Sequence, residues 1–169
     1  MCIRDRAYAI APHPRNVPDD VLQMIAANGG VVMVTFFPGY AHPQGARAMA
    51  GYFEQQRALK ARYPDPEDFK KAWQLYRNAN PIPSGDVGMV VDHIDHIVRI
   101  AGIDYVGLGS DYDGVGKMPL QLENVSGYPY ITQELLNRGY SVADIRKIMG
   151  ENSLRVLHRA EQVARQWSK

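Results

Sequence analysis

Two short apolar runs, each preceded by a helical pattern, constrain the fold of this chain most strongly. Val31–Phe37 is a continuous run of β-branched and aromatic residues, which predicts a buried strand. The second run carries Val106 and Leu108 and follows a helix predicted from about Asp86 to Ala101. This alternation of helices and strands favours parallel α/β units. A (β/α)8 barrel takes eight strands and about 250 residues, so the sequence predicts only part of a barrel.

The remaining pattern is mostly helical. Residues 44–80 are charged and helical, with a break at Pro64–Pro66, and predict an exposed helical insertion. The segment Pro38–Tyr40 is expected to be a loop that leaves the first strand. Three further helices are predicted after the second strand, near Ile131–Arg138, Ser141–Met149 and Asn152–Gln166.

The second strand ends in the most informative motif of the chain, Asp104–Gly116. Its glycines allow a sharp turn and close approach of a ligand, and they are followed by Asp111 and Asp113. Barrel enzymes place catalytic carboxylates at the carboxyl ends of their strands. An aspartate at this position also commonly caps a helix or forms an Asx turn. A third reading is a phosphatase loop, since Asp-x-Asp-Gly-Val after a strand resembles the nucleophile loop of haloacid-dehalogenase-type phosphatases.

Composition excludes several classes of function. The net charge of +1 gives no electrostatic case for binding nucleic acid. No apolar run approaches the length of a membrane span. Cys2 has no second cysteine with which to pair, and the first residues lack the apolar core of a signal peptide. We therefore expect a cytoplasmic protein.

Three groups of motifs together resemble the membrane (renal-type) dipeptidases, peptidase family M19. They are Arg15–Asp20, then Asp92–Ile97 with Gly109–Val115, and finally Leu122–Ser126 with Gly150–Val156. The resemblance implies a single α/β domain over residues 7–169, the C-terminal part of a TIM-type (β/α)8 barrel. It also implies a hydrolase that cleaves dipeptides with two zinc ions, in a family some of whose members open β-lactam rings. Zinc lowers the pKa of bound water to about 7 and so supplies a hydroxide nucleophile.

The resemblance carries three residues over to this chain. Arg15 matches the arginine that binds the substrate carboxylate, which a planar guanidinium can hold with two hydrogen bonds. Asp111 matches the aspartate on the last barrel strand, which handles protons at the scissile amide. Tyr40 matches a tyrosine that lines the substrate cleft, although a rim tyrosine that only packs is an equal alternative.

The metal ligands of the family do not appear in this chain. The first His-x-Asp pair, the bridging glutamate and the first later histidine would all precede residue 1. The last histidine would fall near Arg4, in the segment Met1–Arg6, which differs from the family pattern and which we interpret as a non-native leader. His93 and His96 are three apart on a helix, but structural histidines are the better reading. No metal ligand is therefore assigned.

The sequence thus predicts a zinc-dependent dipeptidase portion that is inactive by itself and whose partner is a dipeptide substrate. A non-catalytic barrel remnant that binds a partner is the alternative, and the phosphatase ranks third. A homodimer is left open.

Overall fold

The computed structural model describes residues 5–167, which form a helix-rich α/β fold around a small parallel sheet. The helices are α1 Asp19–Asn28, α2 Pro38–Ala41, α3 Pro43–Arg62, α4 Pro66–Ala79, α5 Val87–Ala101, α6 Tyr128–Asn137, α7 Val142–Arg146 and α8 Asn152–Trp167. The strands are β1 Val32–Thr35 and β2 Val106–Ser110. None of the helices within residues 5–167 is long and apolar enough to cross a membrane.

The two strands pair in parallel, as predicted, with helices α2 to α5 in the connection between them. Val32 lies opposite Val106 and Val34 opposite Leu108, but Thr35 lies opposite Ser110 because the register shifts after Val34. Such irregularities at the end of a ladder turn side chains toward a site. Beyond β1 the Phe36 N–H still donates to the Ser110 carbonyl over 3.0 Å, so this strand nearly fills the predicted range.

The core lies between the sheet and helices α1, α5 and α6. Its members are apolar side chains that are fully buried, including Leu22, Val34, Phe36, Ile94, Ile97, Ile131 and Leu135. Helix α5 follows the predicted stripe, and Asp86 caps it by accepting from the Met89 N–H over 3.0 Å. Burial of each large aliphatic side chain stabilises the fold by about 1.5–3 kcal/mol.

The predicted helical insertion is confirmed as a pair of helices, α3 and α4. Asp65 separates them and caps α4 by accepting from the Glu67 and Asp68 N–H groups. Tyr52 of α3 packs edge-on against Trp73 of α4, with 5.4 Å between ring centroids. None of the residues of α4 is fully buried, so aromatic contacts hold this helix against its neighbour.

Two local predictions need correction. Pro38–Tyr40 is not an open loop but the start of α2, since the His42 N–H donates to the Pro38 carbonyl over 2.9 Å. The helix expected over Ser141–Met149 is α7, which starts with the predicted capping box at Ser141 and runs into a wider π turn over Lys147–Glu151. Gly150 interrupts the helical backbone there.

The rings of His93 and His96 both form hydrogen bonds with other groups of this chain. The Ala7 N–H donates to Nδ1 of His93 over 3.1 Å, so Nε2 carries the proton and donates to the Ala41 carbonyl over 2.9 Å. His96 lies 2.7 Å from Asp19 through Nε2 and 2.7 Å from Arg99 through Nδ1. Both rings therefore have the structural contacts that the sequence favoured.

Candidate active site

Asp111 lies where the sequence places it, directly after β2. Ser110 and Asp111 both have positive φ, 36° and 73°, which is uncommon for residues other than glycine. The Gly114 N–H donates to the Asp111 carbonyl over 3.2 Å and closes the turn. A Cβ at Gly114 would lie 2.0 Å from Oδ1 of Asp111, so a larger residue there would force this carboxylate to move. A tight, strained turn thus sets the position of the exposed Asp111 side chain.

Tyr40 and Arg15 meet at the end of the neighbouring strand. Helix α2 follows β1 and carries Tyr40, whose ring lies 5.2 Å from the Arg15 guanidinium carbon. Phe37 packs edge-on against the same ring at 5.0 Å, and His13 lies against it at 4.4 Å. This arrangement leaves the Arg15 side chain about one-third exposed, so its guanidinium can reach a ligand.

Asn16 ties the two segments that carry these residues. Its Nδ2 donates to the Ala11 carbonyl over 2.7 Å and to the Tyr40 carbonyl over 2.8 Å. Asn16 itself is buried, and a buried side-chain amide with two backbone acceptors holds both segments in one geometry. The positions of Arg15 and Tyr40 are therefore coupled.

Asp5 and Arg6 complete the cluster and are both buried. Arg6 donates to Oδ1 of Asp5 over 2.6 Å and to the Thr35 carbonyl over 2.8 Å. The second oxygen of Asp5 lies 3.8 Å from Arg15. Arg6 also lies 5.5 Å from the Tyr40 ring, so two guanidinium groups flank this ring and one carboxylate lies next to both.

The pKa values of the cluster follow from burial and from this crowding of charge. Burial raises the pKa of Asp5, while Arg6 and Arg15 oppose the rise. Burial also lowers the pKa of Arg6 to about 10, with Asp5 acting against it. The Tyr40 pKa is raised by burial, and both arginines oppose this. The charge of Asp111 acts on all three groups, so Asp111 belongs electrostatically to the same site.

Of the three residues singled out from the sequence, the structure packs Arg15 against Tyr40, and Asp111 lies close enough for its charge to act on Tyr40. The sequence did not single out Asp5 or Arg6, which were assigned to the leader segment. These two residues pack inside the fold, while Met1–Arg4 lie outside the described residues, so the leader interpretation stays a prediction. The only sequence signal for Asp5 and Arg6 is a charge pair next to Ala7, which is common on protein surfaces.

The described residues do not fit a metal centre. Within residues 5–167 no three His, Cys, Asp or Glu side chains lie close enough to hold one ion. Asp5 is engaged by Arg6 and Arg15, and the pKa of His13 is lowered by burial and by the same two arginines. The electrostatics at the ends of the two strands therefore suit an anion better than a cation.

Known proteins resemble the chain over nearly its whole length. The family model described as membrane dipeptidase (peptidase family M19) matches residues 1–169. The dipeptidase aclJ of Aspergillus oryzae is 39% identical over 165 residues, which is 98% of this chain and 31% of that protein. The chain therefore spans about a third of the length of this relative.

Solved structures agree on the fold. The probable dipeptidase PvdM from Pseudomonas aeruginosa is 30% identical and superposes with a TM-score of 0.70 over 90% of this chain and 42% of that one. A metallopeptidase from Rhodobacter sphaeroides, bound to a phosphinate mimic of the dipeptide L-Ala-D-Ala, is 24% identical with a TM-score of 0.66. That match covers 92% of this chain and 34% of the other.

Proposed function

Because this chain belongs to the membrane dipeptidase family M19, a family of metallopeptidases, we propose that it forms the substrate-carboxylate and proton-handling part of a dipeptidase active site. In this proposal its two strands are C-terminal strands of a (β/α)8 barrel. Two observations carry the proposal: Arg15 packs against Tyr40 after the first of two parallel strands, and Asp111, directly after the second, lies close enough for its charge to act on Tyr40. That edge is where barrel enzymes bind their substrates and carry their catalytic residues.

Arg15 would bind the carboxylate of the dipeptide. Its guanidinium lies between a phenol ring and Asp5, and a planar guanidinium is suited to a two-bond pair with a carboxylate. Asp5 lowers the electrostatic cost of placing Arg15 and Arg6 in one cluster. Tyr40 would form one wall of the cleft, because its ring lies between both arginines.

Asp111 would exchange a proton with the leaving amine or with the attacking water. The Asp111 carboxylate is exposed, and it forms no ion pair within residues 5–167 that would have to break before it reaches substrate. We place the zinc ligands of the active enzyme outside residues 5–167 and expect the chain by itself to be inactive. The family assignment favours dipeptide hydrolysis over the phosphatase alternative.

The test uses a version of the chain that also carries the family's upstream metal-binding region. Asp111→Asn should lower kcat about 10²–10⁴-fold, the range for loss of general acid–base catalysis, and leave zinc content unchanged. Asp113→Asn, in the same exposed loop, is the matched control and should change kcat little. If Asp111→Asn keeps most of its activity, this loop does not handle the proton. Two tightly held zinc ions in the unextended chain would contradict the placement of the ligands.

A further inference from the structure

A cavity lies beside the candidate site and has no role in the function proposed so far. Its volume is about 640 Å³, and it lies between helices α3 and α4 on one side and the loop after β2 on the other. Tyr52 and Trp73 form its aromatic wall, and Gly116 and Lys117 belong to the same loop as Asp111. The helical insertion therefore builds a pocket against a loop of the site.

The charges around this cavity are all positive. Lys70, Arg77 and Lys117 line it, and no carboxylate side chain among the described residues does so. Neither Lys70 nor Arg77 forms an ion pair within residues 5–167, whereas the neighbouring Lys71 pairs with Asp68 at 3.8 Å. Lys117 donates to the Ile82 carbonyl over 2.5 Å, which holds its ammonium group at the wall, and it has no carboxylate partner in the described part of the chain.

The charge of Arg77 acts inside the cavity. Burial raises the pKa of the Tyr52 hydroxyl, and Arg77 opposes that rise. The Tyr52 hydroxyl donates to the Asn80 carbonyl and so joins α3 to the end of α4. Three cations beside aromatic rings, with no carboxylate among the described lining residues, favour a ligand that carries negative charge.

Phe37 connects the cavity to the substrate site. Its ring lines the cavity and also packs edge-on against Tyr40 at 5.0 Å, while Tyr40 lies 5.2 Å from Arg15. The α-carboxylate and the side chain of an amino acid are bonded to the same carbon. If Arg15 holds the α-carboxylate, the side chain nearest this cavity is that of the C-terminal residue.

We propose that this cavity is a specificity pocket for an acidic side chain on the C-terminal residue of the dipeptide, with Lys70, Arg77 and Lys117 as its cationic lining. The inference rests on the proposed function, because Arg15 must hold the α-carboxylate. It adds a preference among dipeptides that Arg15, Tyr40 and Asp111 do not set. The insertion helices α3 and α4 are then specificity elements.

The experiment compares Ala–Glu with Ala–Gln, which has nearly the same shape without the charge. Isothermal titration calorimetry on the chain should give a dissociation constant about tenfold lower for Ala–Glu, as expected for a charge-assisted contact. The double variant Lys70→Gln/Arg77→Gln should reduce this ratio to near one and leave Ala–Gln binding unchanged. Lys71→Gln, on the same helix but paired with Asp68, is the control and should keep the ratio.

A second measurement locates the ligand. The chain has two tryptophans, so Trp167→Phe leaves Trp73 as the only one, and Ala–Glu should change its emission more than Ala–Gln does. Equal affinities for the two dipeptides, both lost in Arg15→Ala, would overturn the specificity pocket while the proposed function stands. If neither dipeptide binds, or if Arg15→Ala does not weaken dipeptide binding, the proposed function fails and the pocket inference fails with it.

Discussion

Arg15 lies in the segment before α1, and Asn16 ties this segment to Tyr40. Lysine at this position would keep the positive charge but lose the planar pair of donors. We expect Arg15→Lys to weaken binding of a dipeptide about tenfold or more, since charge-assisted hydrogen bonds contribute about 1.5–3 kcal/mol. Titration calorimetry with the dipeptide and with its C-terminal amide measures this effect.

The amide is the decisive comparison, because it lacks the carboxylate that Arg15 would hold. Its affinity should be low for the native chain and nearly unchanged by Arg15→Lys. Arg47→Lys, an exposed position on α3, is the matched control. Equal losses for the acid and the amide would show that Arg15 does not bind the carboxylate.

His93 should make stability depend on pH. Burial lowers its pKa to about 4, the hydrogen bond to Ala41 partly offsets this, and the nearby Arg6 and His96 lower it further. An unfolded histidine has a pKa of about 6.5. Between these values the unfolded chain binds the proton more strongly, so stability is lost as pH falls from about 6.5 toward 4.

The loss from His93 should be on the order of 3 kcal/mol in the free energy of unfolding. Urea unfolding at pH 7.5, 6.0 and 4.0 measures it. Glutamine can also donate and accept hydrogen bonds but does not titrate, so His93→Gln should flatten the pH profile even where it lowers stability. An unchanged slope in that variant would mean that other groups cause the acid lability.

The sequence predicted Asp111 because its position depends on local features, namely a strand end, adjacent glycines and a turn. Arg15 and Tyr40 came from family resemblance, since nothing near them in the chain shows that they meet. The contact of Arg6 with the Thr35 carbonyl spans 29 residues. Such a contact depends on how segments pack, so periodicity and spacing could not predict it.

At the scale of elements, helix α4 depends on Trp73 because it has no fully buried residue. Trp73 packs edge-on against Tyr52 of α3, and an aromatic pair contributes about 0.5–1.5 kcal/mol beyond burial. Trp73→Ala should therefore speed amide exchange in α4 about fivefold, while exchange in α5 stays the same. Hydrogen exchange followed by mass spectrometry resolves the two helices.

Leu75→Ala is the control for that experiment, because Leu75 lies on the same helix and is 71% exposed. It should leave exchange in α4 nearly unchanged. If both variants speed exchange equally, the contact of Trp73 with Tyr52 is not what holds α4 in place.

The helices and strands were more predictable than the ends of some of them. The stripe of α5 and the Pro-Asp-Pro break between α3 and α4 are strong local patterns, and both appear as predicted. Helix α2 was missed because four residues are too few to show a period. The π turn at Lys147–Glu151 was missed because the apolar pattern predicts a continuous helix there, whereas Gly150 interrupts the helical backbone.

At the scale of the whole molecule, the parallel sheet within residues 5–167 has two strands, each with one strand neighbour. Parallel sheets are normally larger and covered on both faces. Helix α8 also presents an apolar row formed by Val156, Ala160, Val163 and Trp167 beside the end of α1. Open strand edges and uncovered apolar rows favour association.

We therefore expect the chain to self-associate. The homodimer that the sequence left open would form through these surfaces. Light scattering after size-exclusion chromatography should give a mass above 18.9 kDa that rises with concentration. Val163→Lys places a charge in the α8 row and should shift the population toward monomer. Val142→Lys makes the same change at a position on α7 that is 68% exposed, so it should have no effect. A sharp, cooperative melt from a monomer at every concentration would mean that two strands and their helices suffice for a closed fold, and the partial-barrel proposal would then fail.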